Sequence, residues 1–211
     1  CMEFLQLVHG KQVLCEPVDL KSLEATELSC IIAPSVPLII KVLRKHDFHF
    51  RGLNEIATKN PLGVTGCNLL HASVLVGKQE LVRFLLEEEE FSGINNFLGR
   101  SGYNALHLAT KEGHHAICRD LLSCQHFHAV NTSTTCEGNA LHLAAQHGKV
   151  EVLNLLLDSE RFTAVNEAMQ VPSYHQDWQG KSGQTALHTA AVHGQQQAVQ
   201  TLLDHPRFTQ V

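Results

Sequence analysis

The sequence predicts an all-α solenoid: helix-turn-helix units stacked side by side, with loops between them and a helical N-terminal cap in front. Three observations carry this prediction. Four short stretches copy one another, Asn68-Leu69-Leu70-His71, Asn104-Ala105-Leu106-His107, Asn139-Ala140-Leu141-His142 and Thr185-Ala186-Leu187-His188. A glycine stands six residues after each His, at Gly77, Gly113, Gly148 and Gly194. A Leu-Leu pair then falls fourteen and fifteen residues after the same His. Units of this size cannot each enclose a core, so they stack, and a stack presents an extended surface in place of a closed cleft. Binding is therefore the expected activity.

In chain order, the first 26 residues fit no repeat template; Gln12-Val13-Leu14 reads as a short strand and Val18 to Leu28 as a helix. Residues 27–60 read as a degenerate repeat. Pro37 to Leu43 and Phe48 fall on the second helix and loop of a unit, and Leu53-Asn54 follows. Such an end repeat covers one apolar face and keeps the other wet. The domain reading is thus 1–60 for the N-terminal segment and cap, and 61–211 for four repeats at about 64–96, 100–131, 135–166 and 181–211.

Each unit has the same physical plan. The Asn or Thr three residues before the His is an N-cap type, whose side-chain oxygen takes up a free backbone N–H at a helix start. A first helix of about two turns runs to the glycine, which permits a left-handed C-cap. A second helix follows, with apolar residues at Leu81-Val82-Leu85-Leu86, Ile117-Cys118-Leu121-Leu122, Val152-Leu153-Leu156-Leu157 and Ala198-Val199-Leu202-Leu203. That is the spacing of a buried helical stripe. Phe91, Phe127, Phe162 and Phe208 lie twenty residues after each His, and Ile94, Val130, Val165 and Val211 come three later. These read as an apolar plug under the loop. Asn95, Asn131 and Asn166 follow as residues suited to turning the chain.

The repeated pattern resembles the ankyrin repeat, over about 64–211. The resemblance implies two antiparallel helices and a hairpin-like finger per unit, stacked into a curved slab. Departures are visible: Leu69, Ala105, Ala140 and Ala186 stand where the family has Pro, and Glu137 replaces the turn glycine seen as Gly66, Gly102 and Gly183. The His-to-His spacings are 36, 35 and 46, against roughly 33 for the family. The long, Phe-containing variant is similar to ankyrin proteins that intracellular bacteria deliver into host cells. About ten extra residues fall in 167–181, where they lengthen a finger that holds Tyr174 and Trp178, the only Trp. Projecting aromatics are frequent interface anchors.

Composition narrows the function. Sixteen Lys and Arg against twenty-one Asp and Glu give a net charge of -5 with no basic stripe, which argues against nucleic acid. The longest apolar run, Ile31 to Ile40, is broken by two prolines and is too short to span a bilayer. Seven cysteines without a Cys-x-x-Cys pair read as reduced thiols in an intracellular protein, in cytoplasm or nucleus, or in host cytosol for a bacterial effector. The run Glu87 to Glu90 reads as a solvated helix end or an acidic patch. A start at Cys1 fits a fragment, and Val211 falls one residue short of an Asn, so further repeats or a domain are expected in a longer parent.

Fifteen histidines raise a metal site, but His71, His107, His142 and His188 are the repeated His, whose ring in the family bridges backbone groups of adjacent fingers. The others lack helical i, i+4 pairing. No metal and no cofactor are expected. An enzyme alternative would use Cys15 or Cys30 with His9 as a hydrolase, though no local signature of nucleophile, base or oxyanion site marks it.

By resemblance, a partner protein docks on finger tips and on the exposed end of each first helix of a monomer. The residues so implied are Arg100, Ser101, Tyr103, Lys111, Glu112, Thr135, Cys136, Gln146, His147, Lys181, Ser182, Gln184, Val192 and His193, with Val64, Thr65, Cys67, Leu75 and Val76 in the first unit, and the long finger adds its aromatics Tyr174 and Trp178. The family also includes arrays whose Val-Asn asparagines are hydroxylated, and Asn95, Asn131 and Asn166 match that place.

Overall fold

The computed structural model describes residues 36–170 and 181–209, and the backbone of 7–9 and 12–14. Strands β1 (Leu7–His9) and β2 (Gln12–Leu14) pair antiparallel, Leu7 opposite Leu14 and His9 opposite Gln12. The strand expected at Gln12–Leu14 is present, and the helix expected over 18–28 lies outside the described residues. Helix α1 (Val36–Arg44) opens the array. Its Pro37 sits in the first turn, where a missing N–H costs nothing, and Ile39 and Leu43 are buried.

Four helix pairs follow: α2 (Leu69–Leu75) with α3 (Gln79–Glu87), α4 (Ala105–Glu112) with α5 (His115–Ser123), α6 (Ala140–Gln146) with α7 (Val150–Asp158), and α8 (Ala186–Val192) with α9 (Gln196–Asp204). First helices pack on first helices (α2, α4, α6, α8) and second on second (α3, α5, α7, α9), while α1 packs on α2. The hydrophobic core is one continuous cluster from Ile39 to Phe208. Phe91, Phe127, Phe162 and Phe208 are all buried, as the plug reading requires. Emptying such a site by Phe→Ala costs about 3–5 kcal/mol.

Each first helix starts on a reciprocal cap. Asn104 Oδ1 accepts the His107 N–H at 3.0 Å, and His107 Nδ1 accepts the Asn104 N–H at 3.2 Å. The same exchange joins Asn68 to His71, Asn139 to His142 and Thr185 to His188. A ring that accepts at Nδ1 carries its proton on Nε2. That N–H reaches the next finger, donating to the carbonyls of Asn96 at 3.1 Å from His71, Thr132 at 2.9 Å from His107, and Gln184 at 3.1 Å from His142. His188, in the last described unit, is exposed and caps Thr185, and the stretch its ring would reach lies outside the described residues.

Three expectations are revised. Asn95, Asn131 and Asn166 do more than turn the chain: each reaches into the next unit. Asn95 donates to the His126 carbonyl at 2.8 Å and accepts the N–H of His128 at 2.7 Å and Ala129 at 3.2 Å. Asn54 does the same to Glu90 and Ser92, so the degenerate repeat keeps this brace. In the third unit the turn glycine is not lost but displaced by one: Gly138 takes φ +74°, and a Cβ there would meet His142 at 2.7 Å and Met169 at 2.8 Å. Leu203 is 49% exposed, unlike Leu86, Leu122 and Leu157, because the second Leu of each pair is covered by the following unit and none is described after α9.

The lengthened finger has a closed neck. Met169 is buried, its N–H donates to the Gln184 carbonyl at 2.8 Å, and its carbonyl accepts from Gly183 at 2.8 Å.

Candidate partner-binding surface

The first helices α2, α4 and α6 are almost wholly buried, whereas α8 buries only Ala186, Thr189 and Ala190; the last residues of each emerge beside the fingers. In the second unit Lys111 and Glu112 are at this end, in the third Gln146 and His147, in the fourth Val192 and His193. Glu112 and His193 are exposed, and Val192 is 70% exposed. Arg100 is exposed on the 3-10 turn Gly99–Ser101 of a finger. Lys181 and Gln184 are half-buried at the neck of the long finger. Tyr174 and Trp178 lie outside the described residues.

Three polar side chains are drawn together across the boundary between the second and third units. The Tyr103 hydroxyl donates to Glu137 Oε2, and Lys111 Nζ donates to the Tyr103 oxygen at 3.1 Å and to Glu137 Oε2 at 3.5 Å. The ammonium also lies 5.0 Å over the Tyr103 ring, whose edge meets His107 at 6.0 Å. Displacement of the turn glycine to Gly138 is what frees position 137 to carry this carboxylate. Burial, with the Glu137 carboxylate beside it, raises the Tyr103 hydroxyl above its ordinary range, so Tyr103 stays a hydrogen-bond donor and not a base. Lys111 and Glu137 are thereby held in place by this network. His147 is half-buried beside them; burial, and then Lys111, lower its pKa.

Apolar side chains stand on the finger tips. Leu62 and Val64 of the first finger and Phe97 of the second are 46%, 37% and 45% exposed. The two fingers pack together there: a Cβ on Gly66 would meet the Phe97 carbonyl at 3.0 Å, and one on Gly99 would meet Val64 at 3.9 Å. Leu62 and Phe97 escaped the sequence reading, since the repeat pattern marks neither; Phe97 is an aromatic one residue past the finger's Asn96, where the other units show Ser133 and Ala168. Leu75 and Val76 are half-buried against the core, and Cys67 is buried, so Cys67 is not a contact residue.

A family model for ankyrin repeats (3 copies) matches residues 36–133 and 122–210, which includes the cap half-unit at α1. The chain belongs to the ankyrin-repeat family. A comparison with curated proteins gave no match. Ankyrin repeats are protein-interaction modules and are typically non-catalytic.

In this ankyrin array the thiols of Cys67 and Cys118 are driven up to about 12 by burial, which makes both inert hydrophobes. The residues of the hydrolase alternative, Cys15 and Cys30, lie outside the described residues. Among the described residues no three His, Cys, Asp or Glu side chains are placed to hold a metal ion, and no helix is long and apolar enough to cross a membrane.

Proposed function

We propose that the ankyrin array docks a partner protein on the face formed by its finger tips and the exposed ends of its first helices. The observation that carries this reading is the row of outward apolar side chains, Leu62, Val64 and Phe97 on the fingers and Val192 at the end of α8, set among polar groups already fixed by hydrogen bonds. Fixed polar groups lose little side-chain entropy on binding, and exposed apolar groups gain by desolvation. The array acts as an intracellular monomer that recruits its partner, as an effector or signalling component does; the free thiols Cys67, Cys118, Cys124 and Cys136 agree with a reducing compartment.

A photo-crosslinking amino acid placed at Phe97, Val192 or Arg100, with Glu151 and Gln200 on the outer faces of second helices as controls, tests the assignment in cells. Partner adducts from the finger and first-helix positions alone support it. Adducts from the second-helix positions instead would refute it.

A further inference from the structure

The unit boundaries repeat one contact that the first of them lacks. Arg161, just before Phe162, donates to the carbonyls of Leu122 at 2.6 Å, Cys124 at 2.7 Å and Phe127 at 2.5 Å. Arg207, just before Phe208, donates to Leu157 at 2.6 Å, Ser159 at 2.7 Å and Phe162 at 2.6 Å. In both places a guanidinium takes up carbonyls at the C-terminus of the preceding unit's second helix and of its Phe, those of Cys124 and Ser159 also accepting the N–H of Phe127 and Phe162 at 3.2 Å. One boundary earlier, the corresponding carbonyls belong to Leu86, Glu88 and Phe91, and the residue before Phe127 is His126.

At that place the structure has a cavity of about 330 Å³, lined by Leu86, Glu87, Glu88, Phe91, Asn95 and His126. An imidazole is shorter than the side chain of Arg and offers at most two N–H donors against five, and His126 is exposed. Asn95 holds the far wall by its bonds to His126, His128 and Ala129. The Leu86 carbonyl is approached at 4.0 Å by the thiol of Cys124, a weak donor. Glu87 and Glu88 add their carboxylates at the negative end of α3.

We propose that this cavity receives an arginine side chain from a partner protein, which seats its guanidinium on the carbonyls of Leu86, Glu88 and Phe91. The planar fork matches several carbonyls at once, as Arg161 and Arg207 do within the chain; a lysine ammonium is a compact point charge that satisfies the same set poorly. None of the lining residues belongs to the finger-tip face, so the two sites stand or fall separately.

The test titrates the peptide acetyl-Ala-Arg-Ala-amide into the chain at low salt, followed by amide NMR, with citrulline and lysine counterparts and free L-arginine alongside. The Arg peptide is expected to shift the amides of Glu88, Phe91 and Ser92 and to bind at least about tenfold tighter than the citrulline peptide. In His126→Arg the chain's own guanidinium fills the cavity, so Tm rises by about 3–5 °C and the peptide shifts vanish. Glu87→Gln with Glu88→Gln keeps the carbonyls and weakens binding severalfold. Phe97→Ser leaves it unchanged. The proposal is overturned by equal affinity for the citrulline peptide, by peptide binding that survives in a stabilised His126→Arg or is unaltered in the double Glu variant, or by tighter binding of free arginine than of the peptide.

Discussion

Asn131 is joined to Arg161 across a unit boundary: its Nδ2 donates to the Arg161 carbonyl at 2.9 Å, while its Oδ1 accepts the N–H of Thr163 at 2.7 Å and Ala164 at 3.1 Å. One amide thereby fixes the loop that presents both the Phe162 plug and the Arg161 guanidinium. Asn54, Asn95 and Asn166 repeat the arrangement, so the stack is braced by polar rungs along one edge as well as by its core.

Asn131→Ala removes three hydrogen bonds at an exposed site, and we expect a loss of roughly 1–2 kcal/mol. The effect should be strongest on the coupling between the second and third units, because in a linear array stability is a sum of unit and boundary contributions. Urea unfolding followed by a probe in each half would show this as a split or broadened transition. A single unshifted transition would mean that the rung is idle.

Arg161 makes a stronger prediction. Its replacement by Met keeps the aliphatic stem but takes the charged donor from three carbonyls, of which that of Cys124 keeps only the Phe127 N–H at 3.2 Å, at a cost of about 2–3 kcal/mol. Arg161→Lys should recover less than half of this, since one ammonium cannot reach three divergent carbonyls as a fork does. Thermal midpoints of the two variants decide the matter, and full rescue by Lys would contradict it.

The histidine rungs are expected to make the fold sensitive to acid. Burial holds His71, His107 and His142 down at about 4, whereas the unfolded chain titrates near 6.5. Between those values the unfolded state binds more protons, so the stability present above pH 6.5 falls as pH drops toward 4. Each ring contributes on the order of 3 kcal/mol over that window. Urea midpoints measured from pH 7.5 to 4.5 should decline from about 6.5 downward, and ring proton shifts of the three residues should stay flat above pH 5.5. Rings that titrate near 6.5 in the folded chain would refute the assignment.

Much of this architecture was legible in the sequence because it rests on short-range rules. The caps Asn68, Asn104, Asn139 and Thr185, the glycines after the first helices, the leucine stripes and the Phe plugs all follow from residue type and spacing within about twenty positions. What was hidden depends on the neighbouring unit. The reach of Asn131 to Arg161, the clamp of Arg207 on Leu157, the burial of Cys67 and the exposure of Leu203 and His188 are set by which unit lies alongside. The only sequence sign of the guanidinium clamps was an Arg before Phe in two of the four units, Arg161 and Arg207. The candidate surface was half legible: the ends of the first helices were placed by counting from the His, but Leu62 and Phe97 sit in loops with no period to mark them.

The finger-tip patch should be separable from folding. Leu62→Ser, Val64→Thr and Phe97→Ser together remove apolar groups that are between 37% and 46% exposed, so Tm should move by no more than about 2 °C, as surface substitutions do. Partner affinity should fall by at least about tenfold, as loss of an apolar anchor does. Unfolding several degrees earlier with binding intact would make these side chains structural.

Hydrogen exchange of the array alone and in complex with its captured partner tests the central claim most directly. The account predicts added protection over 62–66, 97–103, 111–112, 146–147 and 181–193, with the outer faces of α5, α7 and α9 unchanged. Protection confined to those second helices, with the fingers exchanging as in the free chain, would contradict it.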